Sequence, residues 1–220
     1  MSRFINDSAF RPEHFLDMVP LWNWRINDYQ IPMIVWNIAL GALAVVITYF
    51  LVKALQKKII YLPSTMVLAF LWLCMVPNTA YLLTDARHII GYCPIEEYGN
   101  VCIENAWMVF FFWAFAATGW LTFVWSLRPL RRIITRLYGK QSGNFFIVLS
   151  IPLIALGVLL GLINRWNSWE IFTRPDLIIK TSLTYFHDLT YFKNWLIITF
   201  LLYIFYVAGE RLFIISKWEK

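Results

Sequence analysis

The sequence predicts an all-α integral membrane protein: a helical bundle of about five transmembrane helices, N-terminus outside and C-terminus cytoplasmic. Three observations carry this. Of the 220 residues, 60% are hydrophobic and only 15% charged, whereas a soluble domain is about half apolar and about a quarter charged. The apolar residues gather into five runs, each close to the ~20 residues that a helix needs to cross a bilayer. The bases collect in the short segments between those runs. Aromatic residues reach 19%, with 12 Trp, more than one interfacial belt at each bilayer surface requires. The net charge of +6 does not point to nucleic acid, because the bases form no polar face of their own.

Residues 1–31 lack the apolar core of a signal peptide. They set Phe15, Leu16, Met18, Val19, Leu21, Trp22 and Trp24 among charges, the composition of an interfacial segment lying on the bilayer. A single membrane domain follows over 32–217, with spans expected at 32–52, 61–84, 105–127, 144–163 and 195–215. No segment between the spans is long enough to be a soluble domain, and no internal repeat is visible.

Orientation comes from Lys and Arg in the short loops, since the positive-inside rule counts bases rather than net charge. Lys53, Lys57 and Lys58 fall within 53–60, and Arg128, Arg131, Arg132, Arg136 and Lys140 within 128–143, both segments free of acids. Arg211, Lys217 and Lys220 close the chain. Eleven of the 13 acids lie on the other side. A cytoplasmic C-terminus follows, and the plasma membrane of a bacterium is the expected location.

One polar stretch stands out. VPNTAYLLTDARH, residues 76–88, ends the second span. Pro77 lies about 24 Å along that helix from Tyr61, in its outer third, where it deprives the Leu73 carbonyl of its helical donor. At roughly 100° per residue, Asn78, Tyr81, Asp85 and His88 share an arc of about 80°. An amide, a phenol, a carboxylate and an imidazole on one face amount to a ligand-binding surface or, in the plainer reading, a belt tyrosine and a solvated helix end. A second stretch, NRWNSWE at 164–170, leaves the fourth span on the same side. It brings Arg165, Asn167, Ser168 and Glu170 level with Asp85. Arg165 is expected to pair with Asp85 or Tyr81, because an unpaired charge in a partly dry zone is costly. Asn167-Ser168 reads equally well as an ordinary turn or helix cap.

Together, PNTAYLLTD and GVLLGLINRWNSWE resemble an uncharacterised, mostly bacterial family of multi-spanning membrane proteins, a domain of unknown function. Trp36-Asn37 and Ser126-Leu127 add to the match, which covers most of 32–176. The chain has Glu170 where the family carries Asp, Leu159-Leu160 for Tyr-Leu and Leu162 for an Arg. Arg165 is thus left where the family pattern has two arginines. The resemblance implies a shared architecture and site but no reaction, and no cofactor is assigned.

Other motifs rank lower. Cys93 and Cys102 share an outer loop, where an oxidising compartment would bridge them. Three cysteines without a paired motif do not make a zinc site, and no metal is expected. Gly157 and Gly161 form a GxxxG whose expected role is close packing within the chain rather than dimerisation. Glu210 and Arg211 are expected to pair or to snorkel toward the inner interface. Three function classes remain: a protein binding or transporting a small or amphipathic solute between the second and fourth spans, a membrane enzyme acting on a lipid or isoprenoid, and an accessory or assembly protein. The partners expected are the lipid bilayer and a lipid or small amphipathic ligand. Five spans without an inverted repeat make transport depend on a homo-oligomer.

Overall fold

The computed structural model describes residues 25–26, 29–57, 62–89 and 106–215. The described residues fall into two units, divided between Asn37 and Ile38. In the first, β1 (Arg25–Ile26) and β2 (Tyr29–Gln30) make a short antiparallel ladder, with Arg25 opposite Gln30 and Ile26 opposite Tyr29. Most of the expected interfacial segment 1–31 lies outside the described residues.

The second unit is helical. Helix α1 (Ile31–Lys57) continues into it and is followed by α2 (Leu62–Met75), α3 (Pro77–Thr84) and a 3₁₀ turn at Asp85–His88. Next come α4 (Ala106–Tyr138), α5 (Lys140–Leu162), α6 (Glu170–Thr173), α7 (Pro175–His187) and α8 (Leu189–Ile215). Five stretches are long and apolar enough to cross a membrane: Pro32–Lys57, Pro63–His88, Ala106–Tyr138, Lys140–Leu162 and Leu189–Phe213. The outer surface of these helices is as apolar as the interior. Phe110, Phe145 and Phe200 are 79%, 67% and 65% exposed, which suits lipid and not water.

Helix α4 forms the centre. Its Phe123, Val124, Leu127 and Leu130 pack with Ile151, Ile154, Ala155 and Val158 of α5, Val76 and Ala80 from the second span, and Leu202 and Tyr206 of α8. Lipid tails are as apolar as leucine, so tight packing and hydrogen bonds between helices must hold such a bundle. Both are visible. Trp72 Nε1 donates to Thr48 Oγ1 at 3.0 Å, and Thr48 Oγ1 reaches the Ala44 and Ser126 carbonyls, tying α1, α2 and α4 together. Trp120 Nε1 donates to the Phe205 carbonyl at 2.7 Å and links α4 to α8.

Several helices run past the expected span ends, and α1 continues to Lys57 rather than stopping at 52. The third span was expected to stop at 127 and a loop to fill 128–143, yet α4 runs on to Tyr138 and α5 starts at Lys140. Arg, Leu and Lys are good helix formers outside lipid, so the basic segment extends the helix to about 50 Å, well beyond a core of roughly 30 Å. Only Gly139 turns the chain, at φ 90°, a conformation that suits glycine. The fifth span likewise begins six residues early, at Leu189 rather than 195, where Asp188 Oδ1 accepts the Thr190 and Tyr191 backbone N–H groups and caps the helix.

Candidate functional site

Pro77 has no N–H to donate, and the second span breaks there. Side chains take over the local bonding. Asn78 Nδ2 donates to the Met75 carbonyl at 2.9 Å, and Thr79 Oγ1 to the Val76 carbonyl at 2.7 Å. The break lets α3 sink between its neighbours, where glycines receive it. A Cβ on Gly157 would lie 2.6 Å from Pro77 Cγ, and one on Gly161 would touch the Tyr81 ring at 3.4 Å. Pro77 and Tyr81, one turn apart, therefore fit against Gly157 and Gly161, also one turn apart. The GxxxG is spent inside the chain. On the other flank, a Cβ on Gly119 would meet the Thr79 carbonyl oxygen at 2.9 Å.

The fourth span ends differently. Arg165 adopts φ 60°, and the Trp166 N–H turns back to the Leu160 carbonyl at 3.1 Å. The next turn is closed by Glu170, whose buried carboxylate accepts the Asn167 backbone N–H at 2.6 Å while its own N–H donates to the Asn167 carbonyl. Asn167 and Glu170 thus close a turn, and the helix that follows, Glu170–Thr173, has Trp169 and neither Asn167 nor Ser168 at its N-cap. Ser168 at its centre points back toward α3.

There the two polar stretches meet. Asn78 Nδ2 donates to Ser168 Oγ at 2.8 Å, joining residues 90 apart in sequence. Asp85 is almost wholly buried at 1% exposure, and His88 Nε2 lies 3.8 Å from its Oδ1. The His88 ring stacks on Phe112 of α4, with 5.8 Å between centroids. Tyr81 Oη is 3.5 Å from an Arg87 guanidinium nitrogen, and Arg87 and Arg165 both bear electrostatically on His88.

One expected contact is not made. Arg165 forms no hydrogen bond or ion pair with Asp85 or Tyr81 among the described residues; its side chain is exposed. At the end of a span a guanidinium loses least by staying hydrated, and the Asn78 amide makes the crossing contact instead. Asn164 and Tyr185 were not singled out from sequence. Tyr185 Oη, on α7, donates to Asn164 Oδ1 at 2.9 Å, and the whole residue is buried. Burial pushes its phenol above the usual tyrosine range, with Tyr191 adding to the effect. The only signal for it was a tyrosine in a mixed polar helix, which is not specific. Cys93 and Cys102 lie outside the described residues, whereas Cys74 is a buried free thiol.

The opposite end of the bundle corrects another pairing. Glu210 bonds to Arg131 of α4 rather than to Arg211, and Arg131 also donates to Asn144 Oδ1 of α5 at 3.0 Å. Neighbouring positions on a helix point about 100° apart, so Glu210 meets the helix it packs on sooner than its neighbour in sequence.

A family model described as "Protein of unknown function (DUF1361)" matches residues 36–207. No curated protein and no solved structure matches the chain.

Proposed function

The chain belongs to the DUF1361 family, whose description assigns no activity, and from that premise we propose that it binds or transports a small or amphipathic solute at the polar site between its second and fourth spans. The observation that carries this reading is the Asn78–Ser168 hydrogen bond, which gathers the polar residues of two distant motifs at one end of the bundle. Beside it Asp85 and Glu170 are buried carboxylates. Asp85 lies in the last turn of the second candidate span, where a buried acid is costly enough to mark a ligand or ion site by default. Asn78, Tyr81, Asp85, His88, Arg165, Asn167, Ser168 and Glu170 frame the site. The basic loops face the cytoplasm in this reading and the site faces outward, in the plasma membrane of a bacterium. Passage across the bilayer requires a homo-oligomer.

The Asp85–His88 pair supports a second reading, an enzyme acting on a lipid or isoprenoid, with one of the two as acid/base and Arg165 holding an anionic group. Native mass spectrometry of the protein, purified in mild detergent, tests both. Solute binding predicts a co-purifying small or amphipathic molecule whose occupancy falls at least about tenfold in Asp85→Asn. A molecule chemically altered on incubation favours the enzyme. A stoichiometric protein partner without any solute overturns both and leaves an accessory role.

A further inference from the structure

About 24 Å farther along α4 from Phe112, a groove of about 220 Å³ opens between α1 and α4. Arg128, Arg132 and Arg136 line it together with Gln56 and Val52 of α1 and Trp125, Pro129 and Ile133 of α4. We propose that this groove is an anion site that takes a phosphate group, carried by a membrane phospholipid or free in solution.

The spacing is the first argument. Topology alone asks only that bases lie on one side of the membrane, anywhere around the helix. Here three arginines recur every fourth residue and so stack on one face. Arg131 breaks that register and is turned to another face, where Glu210 and Asn144 hold it. None of the described residues lining the groove is acidic. Arg128 is mostly buried and lies over the Phe213 ring at 5.4 Å, which fixes the deep end. Arg132 and Arg136 are exposed along the length of the groove. Arginine forks match phosphate oxygens in pairs, and the Gln56 amide offers further donors.

Size and position set the ligand class. Clefts that enclose a whole drug-sized molecule run to roughly 300–1,000 Å³. This groove is smaller, and suits a head group better than a complete solute. Its apolar wall of Val52, Trp125 and Ile133 continues the membrane-spanning part of α1 and α4, so a lipid can place its phosphate among the arginines with its chains still in the bilayer. Basic pockets between spanning helices bind anionic lipids in this way.

The full chain in a neutral detergent, titrated in native mass spectra, tests the site. The probes are phosphatidylglycerol, zwitterionic phosphatidylcholine and inorganic phosphate. Phosphatidylglycerol is expected to bind more tightly than phosphatidylcholine, and Arg132→Gln/Arg136→Gln to weaken it about tenfold or more. Lys193→Gln removes an exposed charge from the far end of α8 and is expected to change nothing. Inorganic phosphate that displaces the lipid assigns a free phosphate ligand, and failure to displace it assigns the lipid. Equal binding to the native and double-variant proteins overturns the proposal, as does an equal loss in Lys193→Gln. Should the double variant lose its helicity, Arg136→Gln near the end of α4 carries the same test, with a loss of about threefold to fivefold.

Discussion

Asn78 shows how one residue can serve a helix break and a contact between helices at once. A primary amide has two N–H donors. One goes to the Met75 carbonyl beside the proline break, the other to Ser168 Oγ. Removing the amide leaves a carbonyl and a hydroxyl short of a donor in a half-buried setting, whereas removing Ser168 deprives the amide of one acceptor. Asn78→Ala and Ser168→Ala are therefore expected to couple. Thermal unfolding in detergent should give a double-mutant interaction of roughly 0.5–2 kcal/mol, and additive losses would mean that the bond contributes nothing. At this scale the sequence was informative about which polar residues interrupt or end the apolar spans and poor about their partners. Asn78 and Ser168 both stood out as polar residues at the ends of apolar spans. That they would bond to each other, while Arg165 stayed exposed, depended on the backbone turn at Arg165 and φ 60° there. An arginine followed by tryptophan gives no warning of such a turn.

The helices illustrate why their existence was legible and their ends were not. Twenty apolar residues in a row leave lipid as the only suitable solvent, and in lipid the backbone must satisfy itself as helix. Beyond the apolar run that constraint lapses, so the length of α4 past Leu127 was set by propensity and by the Gly139 turn. Prolines inside spans follow a related logic. Pro152 lies within α5 and cannot donate to the Val148 carbonyl four residues earlier. Tyr203 of α8 supplies the missing donor, its hydroxyl 2.7 Å from that carbonyl, and Trp195 Nε1 donates to the Pro152 carbonyl at 2.9 Å. The proline thereby becomes a docking point between two helices. Tyr203→Phe is expected to cost about 1 kcal/mol in the native background, the net value of a typical hydrogen bond. In Pro152→Ala the alanine N–H can bond to Val148 itself, and the same Tyr203→Phe change should then cost distinctly less. Unfolding of the four proteins in one detergent checks this, and equal costs in both backgrounds would separate the tyrosine from the proline.

At the scale of the whole molecule, five crossings put the ends of the second and fourth spans on one side and the α4–α5 turn on the other. The polar site and the arginine groove accordingly sit at opposite ends of the bundle. The proposed sidedness rests on the distribution of bases, an argument independent of the packing. Lys53, Lys57 and Lys58 precede the second span, and five bases crowd the end of α4 and the start of α5. In the proposed orientation these segments are held back from translocation, with the N-terminus external and the C-terminus cytoplasmic. Reporter fusions truncated after Lys58 and after Lys140 should both read cytoplasmic, and one truncated after Asp188 should read external. The three results discriminate cleanly. Lys58 and Lys140 on opposite sides would remove a crossing from between them and break the five-span count. Inversion of all three would preserve the bundle but turn the Asn78–Ser168 site toward the cytoplasm, where a solute from outside could not reach it directly. The arginine groove would then face outward, and its phosphate ligand would have to come from the outer leaflet or the external medium.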